Sequence, residues 1–379
     1  MESKITNKKK IKIKVKKNNL NLTLKKDKLM SSKLNNSKQQ LIFLFKIIIQ
    51  KINTDGHKAA VFKAKQYTDA IRILELYTET QIDDFDNICQ FFEKNGKKKT
   101  SKIVSKIDEY VKTGTIEEAE LALQDPKVKA VMELTKIYGI GPKKALDLYN
   151  EHQVSNVNEL RNIYAKDKTV INSKQVLGMN YFEDLESRIP RKEMDEFNSI
   201  LKKSCNDVSS DIIMSINGSY RRGLSSSGDI DLLITSKSEV PSEILRQKLI
   251  KHLTKIGLIK HILANGKKKF MGIVKLEGFT THRHIDIIDT SPKNYPFAVL
   301  YFTGSGAFNA NMRAHAIKEG YSLNEYELTE KITKRPIKPE VIQSKIGKNC
   351  FENEEDIFKF LNYDYKTPEE RELITLSKI

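Results

Sequence analysis

The stretch GSYRRGLSSSGDIDLLIT, residues 218–235, places two kinds of chemistry side by side that repel the same partners. Its first part favours anions: a Gly-Ser step, two arginines and three serines offer guanidinium, hydroxyl and backbone N–H donors. Its second part is a pair of carboxylates, Asp229 and Asp231, separated only by Ile230. In a β-strand, residues two apart face the same side. The two aspartates therefore share one face, and Ile230, Leu232 and Ile234 share the other and can meet a core. Carboxylates held that close are costly unless a cation neutralises them.

That cation reconciles the two halves. Oxygen ligands with no His or Cys beside them in the motif suit Mg²⁺ rather than zinc. Asp286, in the β-prone run HRHIDIID (282–289), supplies a third carboxylate and completes a site for two ions. Ser219, Arg222, Ser227 and Gly228 are placed to wrap phosphate oxygens, so Mg²⁺ would bridge a nucleoside triphosphate and the aspartates. Two such ions serve an in-line displacement of pyrophosphate.

The rest of the chain is consistent with a polyanionic partner. The 379 residues carry a formal charge of +17, unevenly spread. Residues 1–40 hold 13 lysines against Glu2 and Asp27, which accounts for +11 of the total. This stretch has little to bury and reads as a disordered basic arm. A lysine- and asparagine-rich composition bias is the competing explanation. Cys89, Cys205 and Cys350 have neither zinc spacing nor a disulfide pattern, which fits a reducing compartment. LIFLFKIII (41–49) is too short to span a bilayer, and nothing resembles a signal peptide. The expectation is an intracellular protein, nuclear or cytoplasmic, of cellular or viral origin, neither secreted nor membrane-bound.

Periodicity divides the chain into a helical front and an α+β back. AAVFKAKQYTDAIRILELY (59–77) sets Phe62, Tyr67, Ala70, Ile71, Leu74 and Tyr77 toward one face. Helices are also expected over Phe85–Lys94 and Lys102–Lys112, the latter ended by Thr113-Gly114, and across most of 117–210. Strands are expected in DIIMSING (211–218), DIDLLIT (229–235), KKFMGIVKL (268–276) and HRHIDIID. YGIGPKKALDLY (138–149) has the form of a helix–hairpin–helix. There Gly139 and Gly141 permit a tight turn, the next helix begins with free N–H groups, and Lys143 and Lys144 add charge for a DNA phosphate. Such contacts position DNA without reading its sequence. Lys102 and Lys106, four apart on one helix, are either a solvated basic face or a pair in which one ammonium depresses the other's pKa and frees a nucleophile.

These residues together resemble the family X DNA polymerases, most closely the DNA polymerase beta type. The stretch 218–235 is similar to that family's nucleotidyltransferase signature. YFEDLESRIPRKEM (181–194), VLYFTGSGAFNANMRAHAIKEGYSLNEYEL (299–328) and EEDIFKFLNYDYKTPEER (354–371) look like its later segments, in the same order. The likeness covers roughly residues 45–371. It implies an α+β fold: an N-terminal all-helical lyase-type domain with helix–hairpin–helix elements, then fingers, palm and thumb, the palm a mixed β-sheet. The divisions expected are a basic tail (1–40), a lyase-like domain (41–125), a helical DNA-binding subdomain (126–195), a palm (196–300) and a thumb-like subdomain that binds the nascent base pair (301–379).

The resemblance also implies roles. Asp229, Asp231 and Asp286 match the three metal-binding palm aspartates, Asp286 being the one that accepts the primer hydroxyl proton. Arg191, Ser219, Arg222, Ser227 and Gly228 match triphosphate contacts. Tyr301 and Phe302 match the pair that crowds out a 2′-hydroxyl, Asn309 a contact to the incoming nucleotide and Arg313 one to the template. Lys106 falls on the Schiff-base lysine of a 5′-deoxyribose phosphate lyase. Lys63, Tyr67 and Lys102 match its DNA contacts, as Gly139, Gly141 and Lys143 do in the hairpin. Two Mg²⁺ ions are implied, with Mn²⁺ as a substitute and a monovalent cation allowed at the hairpin. The implied partners are gapped or nicked DNA and dNTPs, and the implied state is a monomer; repair partners such as a ligase or an AP endonuclease are not specified. The function implied is gap-filling synthesis in base excision repair. A template-independent terminal transferase and a non-catalytic DNA-end-binding protein are the alternatives. Tyr301-Phe302 before Thr303-Gly304-Ser305 favours templated synthesis, since terminal transferases of the family tend to carry Gly-Trp there. The chain departs from the family in KNGKKKTSK (94–102), where a glycine-rich first hairpin is expected, and in His284 and Ile288, which replace arginines.

Overall fold

The computed structural model describes residues 37–372 apart from 57, 58, 78 and 80, so most of the basic arm lies outside the described residues. The first helix begins at Ser37, inside the stretch expected to be tail, and runs to Asp55. It buries Leu41, Phe45 and Ile48 against Leu74, Phe92 and Ile107 of the next helices. The apolar run 41–49 is thus core. Among the described residues no helix is long and apolar enough to cross a membrane.

Helices Ala60–Leu76, Phe85–Lys94 and Lys102–Thr113 follow as expected. Gly114 ends the last in the left-handed region, φ 74°. The predicted face of Ala60–Leu76 is right except at Phe62, which is 66% exposed. Phe62 lies five residues before Tyr67, which at 100° per residue puts it on the far side of the helix. Two helical segments flank KNGKKKTSK, and the chain still turns there. Gly96 takes φ 82°, and the Ser101 hydroxyl accepts from Val104 N–H to cap the next helix.

The second hairpin is built alike. Gly139 has φ 83°, and Gly141 precedes helix Pro142–His152. Behind the turn, Gly178 lets helix Ser173–Asn180 approach so closely that a Cβ there would lie 2.2 Å from the Tyr138 carbonyl oxygen.

The back half is organised by a sheet. Its strands are β2 (Ile212–Ile216), β4 (Ile230–Ser236), β5 (Ile259–Asn265), β6 (Lys269–Val274) and β7 (Arg283–Asp289), in the order β2-β4-β7-β6-β5. All pairs are antiparallel except the central β4–β7. β1 (Ile189–Pro190) and β3 (Ser226–Ser227) form a separate two-residue pair. β5 escaped the sequence reading because an edge strand alternates buried Ile259 and Leu263 with polar Lys260 and Asn265. Ile230, Leu232 and Ile234 pack with Ile285 and Ile287 beneath helices Arg191–Val208 and Ser242–Lys255. On the other face Leu233 and Ile288 meet Val299 and Phe302 of helix Tyr295–Thr303. Both faces of the central strands are covered, as a parallel pair requires.

Helices Gly306–Lys318, Pro339–Ile346 and Glu354–Phe360, with the hairpin β8 (Tyr321–Leu323)–β9 (Leu328–Glu330), make the last unit. Buried Glu354 fastens it to the loop at 218–228. Its carboxylate accepts from Arg221 at 2.7 Å and from fully buried Arg371 at 2.9 Å. Replacing Glu354 with alanine strands a buried guanidinium, so we expect a loss of about 3–5 kcal/mol, read as a lower urea midpoint of unfolding.

Candidate active site

β4 and β7 run parallel in a register that pairs Asp231 with Asp286. Neighbouring strands therefore hold two carboxylates side by side on the face that carries Leu233 and Ile288. Asp229 sits one residue before β4 and is exposed at its mouth. Asp289, the other aspartate of HRHIDIID, is on the opposite face and bonds Arg246, which is fully buried. The strand period, not the composition of the run, separates the two.

The cluster is electrostatically strained without a cation. Asp231 is pushed up to about 7 by burial, then by Asp229 and Asp286, against the pull of Lys269 and Arg222. Asp229 is raised by desolvation and by Asp286, against His284. Two atoms lack partners: Oδ1 of Asp286 and Nε2 of His284 are buried and unbonded. The donor set and these orphaned atoms fit a divalent ion held by the aspartates. Lys269, on β6, takes the other Asp286 oxygen at 2.5 Å. Sequence reasoning missed it because it ends a run of three lysines that looks like a solvated surface; only the β6–β7 pairing brings it to Asp286.

The anion-favouring loop lies against the aspartates. Gly218 has φ 60°, and a Cβ there would stand 2.7 Å from Oδ2 of Asp231, so only glycine lets the chain turn at that point. Residues 218–221 form one helical turn carrying Ser219. The Ser227 hydroxyl is buried and unpartnered, and Gly228 is exposed beside it. Arg191 stacks on Tyr220 at 4.1 Å and donates to its carbonyl at 2.6 Å. Arg222 is engaged: it donates to the Thr303 carbonyl at 2.7 Å and pairs with Glu372 at 2.5 Å. Arg188, absent from the sequence reading, bonds Ser226 and adds a cation at the loop's edge.

A cleft of about 610 Å³ runs from the second hairpin to this cluster, lined by Tyr138, Gly139, Gly141, Gly228, Asp229 and His284. Lys143 is exposed beside it. Tyr301 and Phe302 meet edge to face at 5.2 Å, and Asn309 donates to the Tyr301 carbonyl at 2.7 Å. Tyr301, Asn309 and Arg313 line one small pocket.

In the N-terminal unit Lys106 does not behave as a lysine depressed by Lys102. Burial acts to lower its pKa, but Glu109 and Glu118 outweigh it and the net shift is upward. Their carboxylates stand 3.1 and 3.4 Å from Nζ, whereas Lys102, like Lys63, is exposed. Tyr67 is buried near the same two glutamates, its phenol raised by burial and by their charge.

Three family models match consecutive parts of the chain: the fingers domain of DNA polymerase lambda over residues 132–186, the DNA polymerase beta palm over 188–292 and the DNA polymerase beta thumb over 298–372. The chain belongs to the family X DNA polymerases. Among similar proteins, DNA polymerase lambda of Rattus norvegicus is 30% identical over 249 residues, 64% of this chain and 42% of that protein. DNA polymerase lambda of Arabidopsis thaliana is 25% identical over 284 residues, 70% of this chain and 51% of its own length. DNA nucleotidylexotransferase of Gallus gallus is 28% identical over 297 residues, 70% of this chain and 55% of its own length. This family X chain thus spans about half the length of these relatives.

Folding raises the Asp231 pKa from 3.8 to about 7, so between those values the folded, metal-free chain binds more protons than the unfolded one. Its stability must fall as pH rises through that window. Asp231→Asn should raise the melting temperature in chelator at pH 8 by a few degrees and have little effect near pH 4, which differential scanning fluorimetry would read.

Proposed function

We propose that the chain is an intracellular DNA-directed DNA polymerase that fills short gaps during DNA repair, adding dNTPs to a primer 3′-hydroxyl. The observation that carries this reading is the β4–β7 register, which sets Asp231 against Asp286 beside both a phosphate-favouring loop and a cleft leading from a helix–hairpin–helix. Asp229, Asp231 and Asp286 would hold two divalent ions, Mg²⁺ or Mn²⁺, which when bound neutralise the triphosphate and lower the cost of ionising the attacking hydroxyl.

The protein's own groups do the rest. Asp286 receives the hydroxyl proton. Arg191, Ser219, Arg222, Ser227 and Gly228 hold the triphosphate, with Arg222 exchanging Glu372 for a phosphate oxygen. Tyr301 and Phe302 exclude a ribose 2′-hydroxyl; Asn309 meets the incoming nucleotide and Arg313 the template strand. Gly139, Gly141 and Lys143 fix the primer strand by its phosphates at the far end of the cleft, where a monovalent ion belongs to the same reading. The units divide near residues 40, 125, 195 and 300, and the protein acts as a monomer on gapped or nicked DNA.

The same reading gives the N-terminal unit a 5′-deoxyribose phosphate lyase activity. The Lys106 amine adds to the C1′ aldehyde and loses water to form the imine. Loss of a C2′ proton then breaks the C3′–O bond and frees the DNA with its 5′-phosphate, and water hydrolyses the remaining sugar imine to restore the amine. Lys63 and Lys102 hold that phosphate and Tyr67 supports the site. Because Glu109 and Glu118 keep Lys106 protonated, they oppose the first step.

Two experiments test these assignments on a one-nucleotide gap. Asp286→Ala should reduce template-matched addition to background while gapped-DNA affinity stays within about threefold, since the phosphate contacts remain. Addition retained by that variant would remove the metal assignment, and wild-type addition indifferent to template would make the chain a terminal transferase. Borohydride trapping of a 5′-deoxyribose phosphate should give an adduct that Lys106→Ala abolishes. Glu118→Gln should move the pH profile of trapping downward by roughly half a unit or more, because it removes a charge that raises the Lys106 pKa. An adduct that survives Lys106→Ala would sink the lyase lysine.

A further inference from the structure

His284 is one of the two positions at which the sequence departs from the arginines that the resemblance implies. Its position says more. It lies two residues before Asp286 on β7, so the strand period sets both on the carboxylate face. Its Nε2 stands 3.8 Å from Oδ1 of Asp286, too far for a hydrogen bond, and neither atom has another partner. Asp286 is only 6% exposed, and Lys269 occupies its other oxygen, not this one. One donor atom each from Asp229, His284 and Asp286 lie within 4.8 Å of one another. An ion with bonds of about 2.2 Å bridges such a span after side-chain shifts of a few tenths of an ångström.

Buried polar atoms left unpaired cost free energy. A shared proton could satisfy the two buried atoms, Oδ1 of Asp286 and Nε2 of His284; a cation satisfies both and also takes the exposed Asp229 carboxylate beside them. Asp231, paired with Asp286 across the strands, carries its Oδ2 beside Gly218 at the phosphate-favouring loop. The group that faces the cleft through Asp229 and His284 thus includes an imidazole beside its carboxylates. Tyr138, whose ring centre is 6.1 Å from that of His284, lines the cleft on the same side.

We propose that His284 is a metal ligand, making the cleft-side position a mixed nitrogen–oxygen site that takes a divalent first-row transition ion in preference to Mg²⁺. The proposal rests on the reading of Asp229 and Asp286 as metal-binding carboxylates and adds to it the imidazole and the choice of ion. Mg²⁺ holds to oxygen ligands and keeps its waters, whereas transition ions accept imidazole readily.

The test uses the full chain without DNA or nucleotide, titrated with Mn²⁺ alone and followed by electron paramagnetic resonance. Bound Mn²⁺ should show pulsed-resonance modulation from a directly coordinated ¹⁴N nucleus. His284→Gln should remove that modulation and weaken Mn²⁺ binding at least about tenfold, with Mg²⁺ affinity, read by competition, changed less than about threefold. The wild-type nitrogen signal needs no variant to fold, and its absence overturns the proposal, as does unchanged Mn²⁺ affinity in His284→Gln. Asp286→Asn separates the two levels. If it abolishes Mn²⁺ binding and His284→Gln does not alter it, only the imidazole ligand is lost. If Asp286→Asn also binds Mn²⁺ normally, the carboxylate reading beneath it fails.

Discussion

Everything in the back half depends on one constraint: two adjacent parallel strands hold carboxylates at paired positions, Asp231 beside Asp286. Like charges at that separation resist being buried, and the resistance appears as an Asp231 carboxyl that stays protonated to about pH 7. A fold that keeps such a pair must stabilise it from elsewhere. The strands do so through their other face, where Ile230, Leu232, Ile285 and Ile287 are all fully buried. At about 1.5–3 kcal/mol per buried aliphatic side chain, that packing outweighs the repulsion it holds in place.

The surroundings meet the pair with positive charge at three distances. Lys269 touches Asp286 directly. Arg222 stands at the loop but is held by Glu372 and the Thr303 carbonyl, so an anion at the loop would have to compete with them for its guanidinium. Arg221 is committed to structure: with Arg371 it shares Glu354 and ties the loop to the last unit. Two consecutive arginines thus have different work, one fastening the scaffold and one facing the site. The reason is directional, since successive residues of a helical turn point about 100° apart.

Much of this was legible in the residues themselves. The i, i+2 spacing of Asp229 and Asp231, the apolar alternation of Ile230, Leu232 and Ile234, and the Gly-Ser step ahead of them carry strand, face and turn within a few residues. The hairpin at 138–149 is legible for the same reason: Gly139 and Gly141 act on their own backbone. What failed was what distance decides. Phe62 looked like part of an apolar face yet points outward, because helical phase accumulates over five residues. For Lys106 the spacing left a solvated face and a pair with Lys102 both open and could not show that its near neighbours are Glu109 and Glu118, one of them twelve residues away. His284 had a signal available, the same two-residue spacing to Asp286 that was trusted for Asp229 and Asp231.

The sequence by itself determined which groups exist and which face of their own strand or turn they take, because backbone sterics and side-chain period act over a handful of residues. Only the tertiary structure decided which faces meet. The β4–β7 register, the reach of Lys269 from β6 and the convergence of His284 with Asp229 are fixed by strand pairing between segments 17 to 55 residues apart. Pairing of that kind is chosen by the packing of the whole sheet against its helices, a sum over many apolar contacts that no single stretch of the chain contains.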